Sequence, residues 1–411
     1  MRASASVRPP AGSSRQRSEP VTASLQRLFA AALASALAAP PAAAQQDRPV
    51  MLHVGASVAS QTNPLRQPEP RADRVTVLFA GLRVDQPYAQ QRLLLDVTST
   101  AYRYARLSFL DFDALDYRGM WRWQLGRRWN GTLGAERVQA LVNYNEFGDI
   151  SQRNILTAER RFLSADGWIF GGWYLRTGLE QQEHKYSVPF PQRGSYRASG
   201  AEGGIEYVAR STSTAALKLR VLDGQYIDRP LDPVARLDDG FKRSESELAV
   251  TWVASARSAF DLRLARLEYR SSHFAERDFS GTVGALTYRW KPAARLALSL
   301  HAGRALEPWA DQVASYRVIE RKALEAGWQI AARTALRASF ARQESDYRNP
   351  LPTYTGPGRF DTLRTAQLAL EWRLRPNVTL DFGLQRQRQS SNDPGAHFEA
   401  RIASFGGSAR F

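Results

Sequence analysis

Five histidines, His53, His184, His273, His301 and His397, are the side chains of this chain best suited to proton transfer or metal ligation near neutral pH. None belongs to a spacing that such chemistry needs: there is no G-x-S-x-G around a serine and no H-E-x-x-H. No catalytic residue, metal site or cofactor is therefore expected, and the chain does not read as an enzyme. Asp228, Asp232, Asp238 and Asp239 crowd one polar stretch, YIDRPLDPVARLDDGFKR, where acids could hold calcium or sugar. Solvated loop charge is the stronger reading of them. More informative charges recur at alternate positions. Arg122 lies between Trp121 and Trp123, and Lys218 and Arg220 lie among Leu217, Leu219 and Val221. Asp96, Asp261, Arg263, Arg289, Glu371, Arg373 and Asp381 fall in the same phase of their own segments. Such a set, net basic, could line a water-filled passage and lower the electrostatic barrier for an anionic solute.

Only strands can place charges this way. Side chains alternate across a strand, so a period of two gives one oily and one charged face. TAQLALEWRL sets Leu368, Leu370, Trp372 and Leu374 against Gln367, Glu371 and Arg373, and NVTLDFGLQ, MWRWQL and GALTYRW behave alike. Such segments number about 18, with starts near Val50, Arg74, Arg92, Asp113, Trp129, Asn154, Trp168, Ser195, Thr214, Ser244, Ser258, Phe279, Arg295, Ser315, Thr334, Thr362, Asn377 and Phe398. Short turns (LGRR, ADG, KPAA, AAR, RPN) alternate with longer polar loops (SQTNPLRQPEPRAD, NYNEFGDISQ, YRNPLPTYTGPGR). A soluble sandwich has no reason for that alternation; a transmembrane antiparallel up-and-down β-barrel of the outer-membrane type requires it. Trp121, Trp123, Trp129, Trp168, Trp252, Trp290, Trp328 and Trp372 all fall near short turns, as an interfacial girdle would. One segment, AFDLRLARLEYRS, changes phase between Leu264 and Leu267, which suggests a bulge. Residues 192–212 are weakly patterned.

The N-terminus reads differently. Arg2, Arg8, Arg15, Arg17 and Arg27 precede the apolar run LFAAALASALAA and then PPAAAQ, the form of a secretory signal peptide cleaved after Ala44. The division expected is residues 1–44 as leader and 45–411 as barrel. The run is too short to span a bilayer, and no later stretch approaches membrane-helix length. The whole chain carries 56 Lys+Arg against 40 Asp+Glu; removing the leader takes away five Arg and one Glu, leaving a net charge of +12. Export and the dispersal of these charges argue against a nucleic-acid partner. There is no cysteine, so neither a disulfide nor a lipoprotein anchor is available. The chain ends RIASFGGSARF, with Phe405 and Phe411 on one face. A closed barrel would need that last strand to pair with the first. The ending is similar to the C-terminal aromatic signal that outer-membrane barrels present to their assembly machinery.

Several longer stretches, GLRVDQPYAQQRLLLDVTSTAYRY, LDFDALDYRGMWRWQLG, YIDRPLDPVARLDDGFKRSESEL, HFAERDFSG and ESDYRN, resemble the EpsL family from about residue 70 onward. Those are outer-membrane proteins encoded with exosortase-linked extracellular polysaccharide biosynthesis genes. The resemblance implies a β-barrel in a Gram-negative outer membrane that takes part in polysaccharide export, as a passive pore or within an export complex. It supplies no catalytic residues. Two alternatives stand beside it: a diffusion porin preferring anions, and a non-conducting surface scaffold or adhesin using the long loop from Tyr226 to Arg243.

Overall fold

The computed structural model describes residues 49–411; the expected leader lies outside the described residues. Eighteen strands follow one another. The first six are β1 (Val50–Gln61), β2 (Asp73–Tyr88), β3 (Gln91–Tyr104), β4 (Phe112–Leu125), β5 (Trp129–Leu141) and β6 (Ile155–Phe170). Next come β7 (Trp173–Tyr186), β8 (Tyr196–Val208), β9 (Thr214–Tyr226), β10 (Gly240–Ser255), β11 (Ser258–Ser271) and β12 (Phe279–Ala293). The last six are β13 (Leu296–Pro308), β14 (Tyr316–Ala331), β15 (Thr334–Arg348), β16 (Phe360–Arg375), β17 (Val378–Ser391) and β18 (Phe398–Arg410). Each pairs antiparallel with its sequence neighbours, and β1 pairs with β18, so the sheet closes on itself without an edge. Along the seam Val58 faces Phe405, and the backbone of Phe411 exchanges two hydrogen bonds with Leu52, at 3.1 and 2.9 Å. Closure leaves no row of unpaired backbone groups, which hydrocarbon would penalise by several kcal/mol each. Among the described residues no helix is long and apolar enough to cross a membrane.

Through the middle of the wall the outer face carries exposed large apolar residues and the inner face mostly polar or small ones. Leu217, Leu219 and Val221 of β9 are exposed, while Lys218 and Arg220 between them engage acids inside the ring. Nine long loops gather at one end and eight short turns at the other. Trp121, Trp129, Trp168, Trp252, Trp290, Trp328 and Trp372 are exposed beside the short turns, an interfacial girdle. Trp309 differs: it lies buried at the long-loop end.

Two expectations need correction. The ADG of residues 165–167 is not a turn, and Trp168 does not open a strand. β6 runs on to Phe170 and the chain reverses at Gly171–Gly172, where Gly171 has φ +51°. A left-handed position falls to glycine because a Cβ is strained there, and that local demand outweighs the turn-like look of Ala-Asp-Gly. Nor does β11 bulge. It stays in register with β10 and β12 from Ala259 through Tyr269. Leu267 and Tyr269 are simply inner-face residues, buried against Leu222, Phe241, Phe279 and Val283 near the long-loop end. Tyr269 stacks between Phe241 and Phe279 at 5.2 and 4.7 Å. Apolar residues on both faces erased the period of two there. The real register shifts sit in the last residues before short turns, at Trp168/Phe170, Val253/Ser255, Trp290/Ala293, Gln329/Ala331 and Arg373/Arg375.

Candidate functional site: the lumen and its mouth

The inner wall from β6 to β12 carries a continuous ladder of ions. Arg160 meets Glu180 at 3.0 Å, and Glu180 lies 3.8 Å from Arg220. Arg220 holds Glu202 at 2.7 Å and approaches Glu245 at 3.9 Å. Arg263 bridges Glu245 and Glu247 at 2.6 and 2.5 Å, and Lys218 meets Glu247 at 3.4 Å. Lower on the wall, Arg176 binds Glu206 at 2.5 Å, and Arg289 binds Asp261 at 2.7 Å. The two charges are placed unequally. Side chains of Glu245 and Glu247 are 7% and 8% exposed, whereas those of Arg160 and Arg263 are 45% and 39% exposed. Glu245 and Glu247 thus lie beneath Arg263, whereas Glu202 and Arg220 reach lumenal water alike, at 31% and 26% exposed. Each carboxylate occupies one edge of a planar fork that has five donors, so donors remain for a passing anion.

The inner-face residues singled out from sequence distribute over three regions. Lys218, Arg220, Arg263, Asp261 and Arg289 lie in the ladder. Asp96 pairs with Arg83 at 2.6 Å on the neighbouring strand, and Arg122 sits directly across from Arg92, which binds Asp85 at 2.7 Å. Glu371 accepts from Arg337 at 3.1 Å and faces Asp381 across β16 and β17, with Arg373 one step toward the short turns. From sequence the lining is expected to be net basic. In the structure each ladder cation has an acid beside it, and Glu180, Glu202, Glu206, Glu245 and Glu247 complete the wall. RSESELAV carries the signal for two of them, since Glu245 and Glu247 alternate with Leu248 and Val250. Glu202 and Glu206 stand among the glycines of β8, whose weak alternation hid them.

The long-loop end is closed over by its own loops. The loop 142–154 carries one helical turn, α1 (Tyr144–Phe147), capped by the Asn143 side chain. It reaches across the ring. Glu146 binds Arg317 of β14 at 3.0 Å, nine strands from β5 in an eighteen-strand barrel, and Arg193 of loop 187–195 at 2.6 Å. Burial pushes the Glu146 carboxyl up, but the two guanidinium groups outweigh it and hold the pKa at about 2. Trp309 receives both cations on its ring, with Arg193 and Arg317 at 5.6 and 5.4 Å from the centroid. Asn145 donates to the carbonyls of Arg66 and Ala396 and accepts from Gln389 of β17 at 2.8 Å. Leu65, Leu110, Val142, Tyr144, Phe190 and Trp309, from five loops, fill the space beneath as one apolar cluster. Nothing in the sequence pattern marked Glu146 or Arg193, because loops carry no periodicity.

The acidic loop is structural in its contacts. Asp228 accepts from the backbone and hydroxyl of Ser195, and Asp232 from the backbone of Val234 and Ala235. Asp238 accepts from the backbone N–H groups of His273 and Phe274 and sits 3.1 Å from His273 Nδ1. Burial opposes ionisation of Asp238, yet these donors hold its pKa below the usual carboxylate range. The bond to Asp238 raises that of His273, with Asp239 adding to it. These three could approach a cation together, but the Asp238 oxygens already serve backbone N–H groups. His184 stacks on Tyr196 at 4.8 Å, and His301 meets Thr287 at 3.1 Å on the lumenal face.

No family model matches the chain, and no curated protein matches it. Solved structures do. OccK2 (OpdF) of Pseudomonas aeruginosa in complex with glucuronate superposes with a TM-score of 0.50 at 11% identity, covering 89% of this chain and 99% of that one. OpdK of the same organism with vanillate gives 0.50 at 10% identity, over 88% and 99%. OccK3 (OpdO) gives 0.50 at 12% identity, over 88% and 95%. At such identities the likeness is one of fold. The chain is a closed antiparallel barrel of 18 strands, the architecture of outer-membrane porins.

Proposed function

We propose that this protein is a passive channel of the Gram-negative outer membrane that admits small anionic solutes, carboxylates foremost. The observation that carries the reading is the ladder from β6 to β12, in which buried Glu245 and Glu247 anchor the part-exposed Arg263, and Glu202 holds Arg220 beside them. An anion meets guanidinium edges along the wall, while the paired acids keep any one step from becoming a trap. Two of the similar structures hold carboxylates, glucuronate and vanillate, which agrees with this solute class. The same reading has residues 1–44 removed on export, and the barrel inserted by assembly machinery that engages the strand bearing Phe405 and Phe411. The test is a reversal potential in a planar bilayer under a salt gradient. Replacing Arg220 and Glu202 together by Gln leaves the net wall charge unchanged but removes one guanidinium face. Anion preference should fall severalfold; an unchanged ratio would show that the ladder does not select.

Participation in extracellular polysaccharide export is the second reading, carried by the resemblance of RPLDP…DDGF and ERDFSG to the EpsL family. The loop lattice at the mouth argues against threading of an intact polymer and favours a supporting role within an export complex. Surface polysaccharide left unaltered in a deletion strain would remove this reading without touching the first.

A further inference from the structure

The outer wall of β14–β18 carries a feature the channel reading does not use. On its lipid side Leu324, Phe340, Leu368, Leu384 and Phe405 are exposed, as the apolar band requires. On the same face, one step toward the long loops, stands a row of cations in register. Lys322 is directly opposite Arg342, Arg342 opposite Arg364, and Arg364 opposite Arg388; beside them Arg386 is opposite Arg401. The alternate residues Gln387 and Gln389 bond inward, to Arg66 and Asn145, which fixes Arg386 and Arg388 outside. Like charges directly opposite one another destabilise a sheet. Only two acids relieve them: Glu344 pairs with Arg342, and Glu399 is shared by Arg386 and Arg401 at 3.1 and 3.0 Å. Among the described residues no acid pairs with Lys322, Arg364 or Arg388. Elsewhere on the outer face at this level Arg197 pairs with Glu183 and Arg270 with Glu268, and among the described residues no other run of cations stands opposite cations across so many adjacent strands.

Two further observations say what completes the row. Arg364 lies eight residues from Trp372 along β16. At about 3.3 Å per residue and a tilt of about 40°, that is about 20 Å above the tryptophan girdle, close to the full height of an apolar band. The row therefore stands at the opposite membrane interface. Immediately below it a hollow of about 470 Å³ opens on the outer face, walled by Ala366, Leu368, Leu384 and Ala403 with Arg386 and Arg401 at its upper end. Small residues here leave a slot where neighbouring strands present large ones.

Resting on the outer-membrane placement above, we propose that this wall is a docking site for a phosphate-bearing anionic lipid of the outer leaflet. The guanidinium row takes the headgroup phosphates, for which planar donor forks are suited, and the hollow takes an acyl chain. A second copy of the barrel is a poorer occupant, because it would set one cationic row against another. The test uses the full barrel in neutral detergent and native mass spectrometry with two probes, lipid A and phosphatidylcholine. Lipid A should be retained preferentially. The variant combining Arg364→Ser, Arg386→Ser and Arg388→Ser should lose at least tenfold in lipid A retention, with bilayer conductance unchanged. Single Arg388→Ser is read the same way, with a smaller loss, if the triple variant does not refold. Equal retention of both lipids, undiminished retention by the variants, or full displacement by equimolar inorganic phosphate would each overturn the proposal. So would a shift in oligomeric state without a change in lipid retention. A conducting barrel indifferent to lipid A sinks this inference alone; a silent barrel that retains lipid A sinks the channel and spares it.

Discussion

Glu146 shows what a single side chain contributes here. It is the point where α1, loop 187–195 and β14 meet, and it is held ionised by Arg193 and Arg317. Its folded pKa of about 2 lies below the ordinary value of 4.5. A depressed carboxyl stabilises the latched mouth fully above its ordinary value and loses that contribution as pH falls through the folded one. Channel openings should thus be indifferent to pH between about 5 and 8, and become longer or larger as the long-loop side is taken from about 4.5 toward 2. Glu146→Gln removes one partner of a buried ion cluster, a loss of about 3 kcal/mol, so it should bring the acid behaviour to neutral pH. Single-channel recording across that pH range checks both. A Glu146→Gln channel that still opened only in acid would mean another group holds the latch. None of this was legible in the sequence, where Glu146 is one acid in NYNEFGD. The lumenal cations were legible, because strand periodicity fixes the face of every residue once the phase is set.

At the scale of strands, periodicity located most starts to within a residue or two, but β10 opens at Gly240, four residues before the expected Ser244, because Lys242 and Arg243 hide the alternation there. The β7 start was placed at Trp168, five residues early, because Ala-Asp-Gly imitates a turn while Asp166 is a wall residue facing Arg176 at 3.5 Å. β8 lacked a clear pattern because Gly200, Gly203 and Gly204 contribute to neither face. In β11 the pattern broke because a lumenal aromatic stack asks for apolar residues inside. The seam between β1 and β18 is the pairing that sequence order cannot impose, since closure entropy rises only slowly with loop length and other distant strands could lie beside β1 at similar cost. Ala59 and Ser404 face each other across it. In a chain without cysteine, Ala59→Cys with Ser404→Cys should form one disulfide on oxidation, given the spacing of a facing antiparallel pair. The oxidised barrel should keep its compact electrophoretic mobility at temperatures that unfold the parent, and reduction should abolish the gain. Free thiols after oxidation in the folded barrel would put the seam out of register.

On the channel reading, the whole molecule joins a wall that invites anions to a mouth that restricts them. The wall is continuous with the strands, so its geometry is as rigid as the barrel. The mouth is built from loops that could not be placed from sequence, yet it is tied to opposite sides of the ring through Glu146–Arg317 and Asn145–Gln389. Selectivity and flux therefore belong to different parts of the structure. Replacing residues 144–150 by an alternating Gly-Ser segment removes both ties and the apolar anchors Tyr144 and Phe147 while leaving β6–β12 intact. Conductance should rise severalfold, since a loop tied across the ring is gone, and the anion-to-cation permeability ratio should stay near that of the parent because the ladder still lines the path. If conductance stayed the same, loop 142–154 would not lie across the route. If conductance rose but selectivity vanished, the discrimination assigned to Arg220 and Arg263 would instead reside at the mouth, in the cluster of Arg193 and Arg317.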